Sequence, residues 1–335
     1  MIPITLVLLS WLVMAVVMAV LWLVQRARSD AGVVDVGWAG GLGVVAVLYA
    51  LLAPGDPFRR SLVGVLATVW SLRLAAYILT DRVIGKPEDG RYRTLRARWG
   101  KRAEPYFFAF FQAQAVLDVL FSLPFLVAMT NPRQVMGGWG AAGVLVWLAA
   151  VVGEALADRQ LAAFRADPAN RGRTCRVGLW RASRHPNYFF EWVHWWSYVL
   201  LAVGSPWWAL TLVGPALMAF FLFKVTGIPA TEAQALASRG EDYREYQRTT
   251  SAFIPWFPKK GGAGWDTARL RGARGRGVTR RWRAGRSRAR LQSARRSARR
   301  RPSSCCGPGR AAGPPRGARR PCGRRPSRPA GPCRA

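Results

Sequence analysis

The sequence predicts an all-α, polytopic membrane protein with about seven transmembrane helices, followed by a disordered, arginine-rich tail. Three observations predict this class. Residues 1–260 contain seven apolar runs close to the roughly 20 residues that a helix needs to cross a bilayer. The loops between them alternate between arginine-rich and arginine-poor, as in a chain that crosses a membrane repeatedly. Residues 261–335 hold 23 arginines and one acid, and a basic Pro- and Gly-rich segment of this kind cannot bury a core.

The predicted spans follow one another through the first 260 residues. They lie near residues 3–24, 33–53, 61–80, 106–129, 138–157, 188–204 and 207–227. The first run is long, lacks a basic start and has no clear small-residue cleavage site, so we expect a retained anchor and not a signal peptide. The fifth and sixth spans are unusual because Glu154 and Glu191 lie inside them.

The positive charges in the loops predict the orientation of the chain. Three loops are rich in Arg and Lys: 25–32, 81–105 and 158–187. The loops that alternate with them hold few basic residues: Arg59, Arg60 and Arg133. Because short cytoplasmic loops collect Lys and Arg, we expect the N-terminus outside and the C-terminus inside. The polar residues discussed below then face the cytoplasm.

The most informative polar cluster is the run RHPNYFFE, where a polar loop meets the sixth span. Its polar members are Arg184, His185, Asn187, Tyr188 and Glu191. Such side chains are costly at a membrane boundary without a partner or ligand. Arg and His suit a phosphate or carboxylate, whereas Asn and Glu suit an amide or ring hydroxyl. A membrane-interface belt would explain the Arg and Tyr, but not the four-residue spacing of Asn187 and Glu191 on one helical face. The pattern favours a ligand site.

A second polar group lies at the cytoplasmic end of the fifth span. Glu154 and Asp158 are four residues apart on one face of a continuing helix, and Arg165 follows seven residues later. These residues could form surface ion pairs, which contribute little to stability. Alternatively, the carboxylates bind ribose or amide groups while Arg165, Arg173 and Arg184 neutralise phosphates.

Cysteine and glycine patterns exclude several other kinds of site. Cys175 is the single cysteine in the body, and the protein has two histidines and no Cys-x-x-Cys pair, so we expect no disulfide framework and no metal site. The sequence contains no P-loop, no Gly-x-Ser-x-Gly motif and no credible strand before a glycine-rich turn. The glycines between residues 37 and 43 instead predict close helix packing.

The run GLWRASRHPNYFFE resembles the C-terminal signature of the steroid 5α-reductase family of membrane enzymes, in particular its bacterial branch. The resemblance covers roughly residues 30–258 and ends at the run SAFIPWFP. It implies a seven-helix fold in a bacterial inner membrane whose cytoplasmic end binds NADPH. It also implies reduction of a carbon–carbon double bond conjugated to a ketone. The implied partners are a lipophilic substrate entering from the bilayer and the membrane lipids, with no nucleic acid.

The resemblance also implies roles for individual residues. Asn187 and Glu191 correspond to cofactor-contacting residues of the family, and Asp158 and Arg165 to an acidic and a basic contact. The Tyr and Glu that polarise the substrate ketone in the family are absent, with Trp70 at the Tyr position and Asp35 as the nearby acid. We therefore expect Asp35 and Trp70 as the catalytic pair. The expected NADPH-binding residues are Glu154, Asp158, Arg165, Arg184, His185, Asn187, Tyr188 and Glu191.

Part of the pattern also resembles the isoprenylcysteine and phospholipid methyltransferases, which bind S-adenosylmethionine. The shared residues are Arg184, His185, Pro186, Tyr188, Glu232, Tyr243, Tyr246, Ile254 and Pro255. Asn187, Glu191, Asp158 and Arg165 favour the reductase. A third interpretation is that the chain is a non-catalytic membrane protein that acts through its polybasic tail.

The tail has two interpretations. Its arginines could bind anionic lipid or nucleic acid. However, residues 261–335 lack Lys, Ile, Phe, Tyr, Met and Glu, which is what a GC-rich coding sequence read out of frame would give. We therefore expect a non-functional extension beyond a membrane domain of residues 1–260.

Overall fold

The computed structural model describes residues 3–133 and 137–259, and these residues form a bundle of helices. Within these two ranges ten α-helices follow in chain order: α1 (Ile4–Arg28), α2 (Val33–Leu52), α3 (Pro57–Ile78), α4 (Gly90–Trp99), α5 (Ala103–Met129), α6 (Gly138–Ala166), α7 (Pro186–Leu201), α8 (Val213–Phe220), α9 (Ile228–Arg239) and α10 (Glu241–Thr249). Short π-helical turns extend α3 and α8, at Leu79–Val83 and Phe221–Val225. Within the described ranges the β-type pairing is limited to an isolated bridge between Ser183 and Ser251. The predicted disordered tail, 261–335, lies outside the described residues.

The predicted all-α polytopic membrane fold is confirmed. Among the residues that the structure describes, six segments are long and apolar enough to cross a membrane: Ile4–Arg28, Val33–Leu52, Pro57–Val83, Gly90–Met129, Gly138–Ala166 and Trp208–Arg239. The remaining predicted span, 188–204, coincides with α7, which has 16 residues. At 1.5 Å per residue it is about 24 Å long, less than the roughly 30 Å of a bilayer core.

Glycines allow neighbouring helices to approach closely, as predicted. A side-chain carbon added at Gly43 of α2 would lie 2.6 Å from the hydroxyl oxygen of Ser71 in α3. One added at Gly143 of α6 would lie 2.7 Å from Leu201 of α7. Small residues at helix contacts are the usual means of close packing in membranes. The α2–α3 and α6–α7 pairs carry the polar residues described below.

Arg59 joins several helices at the end of the bundle that we predict to face outside. The sequence predicts that Arg59 lies in a loop, but its side chain is buried in the first turn of α3. Its guanidinium donates to the carbonyl oxygens of Leu201 at 2.8 Å and of Arg133 at 2.9 Å. It also reaches the carbonyl of Ala128 at 3.3 Å. Carbonyls at helix C-terminal ends carry partial negative charge, so a buried guanidinium stabilises this junction of α5 and α7.

The opposite end of the bundle is covered by α9, α10 and the segment that follows them. The two helices are separated at Gly240, whose φ of 55° favours glycine. Tyr246 donates to the carbonyl oxygens of Trp180 and Ser183. Burial raises the pKa of Tyr246, which keeps its hydroxyl protonated as a donor. These bonds hold the loop before α7 and so fix where α7 begins.

Candidate active site

An arginine that pairs with two carboxylates lies at the centre of the site. Arg73 of α3 places its Nη1 3.3 Å from Oδ2 of Asp158 in α6, and its Nη2 forms an ion pair with Glu154. Asp158 also accepts a hydrogen bond of 3.2 Å from the amide of Asn187 in α7. Both acid side chains are about 5% exposed, so these are buried charges that require partners. The two predicted polar groups therefore meet, and Arg73, which sequence analysis does not assign to the site, links them.

Glu191 is held by two tryptophans on the inner side of this cluster. Trp70 of α3 donates to Oε2 at 2.9 Å, and Trp195 donates to Oε1 at 3.2 Å. Trp70 also stacks on His194 with ring centroids 4.2 Å apart. Both carboxylate oxygens are therefore fixed in direction. The indole N–H of Trp70 donates to Glu191, so this contact positions the Glu191 carboxylate. The catalytic role of Trp70 stays a prediction.

Asp35 lies at the start of α2 and forms a second polar group with residues of α4. Its Oδ1 accepts a hydrogen bond of 2.6 Å from the hydroxyl of Tyr92, and its Oδ2 one of 2.9 Å from Arg91. Arg91 also bonds Asp89, which caps α4. Burial opposes the charge on Asp89, but the hydrogen bonds from Arg91 lower its pKa overall. The sequence-based prediction does not include Tyr92, and the signal for it is a tyrosine three residues after the acidic pair Glu88 and Asp89 in the basic loop 81–105.

The two groups face an inner cavity of about 240 Å³. Its polar lining includes Asp35, Tyr92, Arg91, Glu154, Asp158, Asn187, Glu191 and Gln114. Its apolar lining includes Trp38, Leu74, Phe110, Leu117, Phe121 and Met218. An apolar cavity with a few convergent polar groups is the common form of a small-molecule site.

A more polar outer cavity of about 350 Å³ adjoins the inner one. The two share the lining residues Tyr77, Arg82, Arg91, Asn187, Tyr188 and Thr226. Its other basic residues are Arg165, Arg184, His185 and Arg239. A wall of arginines attracts an anionic ligand.

The arginines of the outer cavity differ in availability. The hydrogen-bond donors of Arg184 are used within the protein, since it donates to Glu232 at 2.7 Å and to the carbonyl of Thr250 at 2.8 Å. Arg165 is about half exposed, and its contact is with Asp81 at 4.0 Å. Arg82 makes no hydrogen bond or ion pair with any residue that the structure describes. Arg82 and Arg165 are therefore better placed than Arg184 to receive an external anion.

Several of the remaining predicted site residues lie around Glu232 of α9. His185 places its Nε2 3.2 Å from Oε1 of Glu232 and stacks on Tyr188 with ring centroids 5.3 Å apart. The hydroxyl of Tyr188 lies 3.2 Å from that of Thr231. These contacts dock α9 against the start of α7 and form one wall of the outer cavity. Within the described ranges, no group of three or more His, Cys, Asp or Glu side chains could hold a metal ion.

The fold and the site define a polytopic α-helical membrane protein with a polar, two-compartment cavity at one end of its bundle. The chain belongs to the DUF1295 family, described as proteins of unknown function, whose sequence model matches residues 21–250. That range includes every lining residue of both cavities. No curated protein and no solved structure matches the chain.

Proposed function

We propose that the protein is an NADPH-dependent reductase of a carbon–carbon double bond conjugated to a carbonyl in a lipophilic substrate, of the steroid 5α-reductase type. We place it in a bacterial cytoplasmic membrane. The observation that carries the proposal is the pair of adjoining cavities, one mainly apolar and one with five arginines in its lining, with Asn187 and Tyr188 in both walls. A dinucleotide needs a cationic region for its phosphates, and its reacting ring needs an enclosed neighbour for the substrate.

The residues present fit NADPH by their chemistry. Arg82 and Arg165 line the outer cavity and are available to bind phosphates. Asn187, Asp158 and Glu191 line the inner cavity and offer the donors and acceptors that suit a carboxamide. When bound, NADPH supplies a hydride. The tryptophan pair on Glu191 would hold its carboxylate in one orientation toward that end of the cofactor.

The substrate carbonyl would lie against Asp35 and Tyr92. Both line the inner cavity, and the Tyr92 hydroxyl, which donates to Oδ1 of Asp35, would turn away from it to donate to the substrate oxygen. Arg91 adds positive charge at 2.9 Å from Asp35. Donors fixed where negative charge develops on a carbonyl oxygen stabilise the transition state. In this assignment Tyr92 donates to the substrate carbonyl, a role that the sequence predicts for Trp70. Trp70 instead positions Glu191.

Cofactor binding by the purified full chain tests the proposal. A ligand that binds the folded state raises the unfolding temperature, so titration with NADPH gives its affinity. Glu191→Ala should weaken NADPH binding tenfold or more, since a hydrogen bond to a charged group contributes about 1.5–3 kcal/mol. Glu241→Ala is the matched control, because Glu241 is an exposed acid on α10 that lines neither cavity. Equal NADPH affinity for the wild type and Glu191→Ala would remove Glu191 from the site.

A methyltransferase that uses S-adenosylmethionine is the second candidate. The observation that favours it is the contact of Arg184, His185 and Tyr243 with Glu232, since all four belong to the methyltransferase-like pattern. These contacts leave Glu232 fully engaged within the protein, which supports a role in docking α9. Saturable binding of S-adenosylmethionine, with none of NADPH, would select this candidate over the reductase.

A further inference from the structure

One polar side chain in the inner cavity has no partner in the protein. Gln114 of α5 lines the inner cavity and is half-buried. Its carboxamide makes no hydrogen bond with any residue in the described part of the chain. Gln112, two residues earlier, faces the other way and donates to the carbonyl of Ala15 in α1 at 3.2 Å. Gln112 therefore has a partner within the protein, whereas the carboxamide of Gln114 is available to a ligand in the inner cavity.

The amide of Gln114 lies among apolar neighbours of its own helix. A ligand that fills the cavity would remove this amide from water, which is unfavourable unless a new hydrogen bond replaces those to water. The cavity wall around Gln114 is formed by Phe110, Leu117 and Phe121 of the same helix. A leucine at position 114 would complete an apolar wall without that cost. A ligand with its own polar group removes the cost, and the amide can serve as donor or acceptor for it.

The position of Gln114 relative to Tyr92 defines the geometry of such a ligand. Phe110 packs edge-on against Tyr92, with ring centroids 6.1 Å apart. Gln114 lies one helical turn further along α5, about 6 Å deeper into the bundle. Leu117 and Phe121 continue the wall beyond it. The cavity therefore offers polar groups at two depths, with apolar surface between and below them.

We infer that Gln114 is a specificity-determining residue that hydrogen-bonds a second polar group, a hydroxyl or a carbonyl, on the lipophilic substrate. The substrate class is a molecule with a reacting carbonyl near Tyr92 and a further oxygen roughly one helical turn away. This inference rests on the proposed function for the identity of the reacting carbonyl. The binding contact itself does not depend on the reaction.

Binding of two matched probes to the full chain tests the inference. The probes are cyclohexenones with the same alkyl chain, ending in a methyl group in one and a hydroxyl in the other. Their affinities are measured by thermal unfolding, and their reduction by NADPH consumption. The wild type should prefer the hydroxyl probe about tenfold, which corresponds to about 1.4 kcal/mol for one hydrogen bond. Gln114→Leu should abolish this preference, while Gln112→Leu, the same change on the face toward α1, should keep it.

A second variant guards against misfolding of Gln114→Leu. Gln114→Asn keeps the amide but withdraws it by one methylene, so the preference should fall without the loss of a polar group. A wild type with no preference, or an unchanged preference in Gln114→Leu, would overturn the inference. If no probe supports NADPH consumption but the hydroxyl preference is still lost in Gln114→Leu, the reductase proposal fails and the binding role stands.

Discussion

Removal of the arginine that links the two polar groups should destabilise the protein strongly. Arg73→Met keeps much of the side-chain length but removes the cation between Glu154 and Asp158. The Arg73–Asp158 separation of 3.3 Å corresponds to about 5 kcal/mol at an effective dielectric constant of about 20. Loss of one member of a buried ion pair costs about 3–5 kcal/mol, because the other charge stays buried. We expect a loss in this range, a large share of the roughly 5–15 kcal/mol that stabilises a typical domain.

If the uncompensated acids cause the loss of stability in Arg73→Met, a second substitution that removes one of these acids should restore part of the stability. In Arg73→Met the remaining acids are destabilising because they are uncompensated, so Glu154→Gln should harm the variant less than it harms the wild type. The two changes should couple by about 0.5–3 kcal/mol, as residues in one buried network do. Denaturant unfolding of the full chain in detergent micelles measures all four states of this cycle.

Arg165→Met is the matched control for the loss of an arginine. Arg165 is about half exposed and 4.0 Å from Asp81, so its removal should cost at most about 1 kcal/mol. Two results would refute the reasoning. One is a loss in Arg73→Met no larger than in Arg165→Met. The other is strict additivity of Arg73→Met and Glu154→Gln, within about 0.5 kcal/mol.

Two further predictions concern the ends of the chain and its orientation. Reporter fusions after Arg102 and after Arg173 should report the cytoplasm and a fusion after Pro132 the outside, because charge in the loops sets topology. A cytoplasmic signal at Pro132 would contradict the predicted orientation. Truncation after Lys260 should leave insertion and NADPH binding intact, since every proposed site residue precedes it and the spans satisfy their own backbone hydrogen bonds. Loss of NADPH binding in the truncated protein would show that the tail completes the site.

The parts of the site that sequence predicts well are those set by local helical geometry. Glu154 and Asp158 share a face of α6, and Asn187 and Glu191 share a face of α7, because residues four apart are neighbours on any helix. All four line the inner cavity. What spacing does not supply is the partner across the bundle. Arg73 is 81 residues from Glu154 in the chain, so only the packing of α3 near α6 identifies it as their counter-charge.

The same limit explains why arginines of similar appearance in the sequence differ in the structure. Arg184 lies in the motif that first indicates a site, yet its donors bind Glu232 and the backbone carbonyls of Gln247 and Thr250 at the end of α10. Arg82 lies in no motif, yet it lines both cavities without an internal partner among the described residues. A side chain whose hydrogen bonds are already satisfied must break them to bind a ligand, whereas an unsatisfied one gains them. For this reason Arg82 and Arg165 are better candidates for phosphate contacts than Arg184. The conspicuous motif is better understood as the structure that orients α7 and its two cavity-lining residues, Asn187 and Glu191.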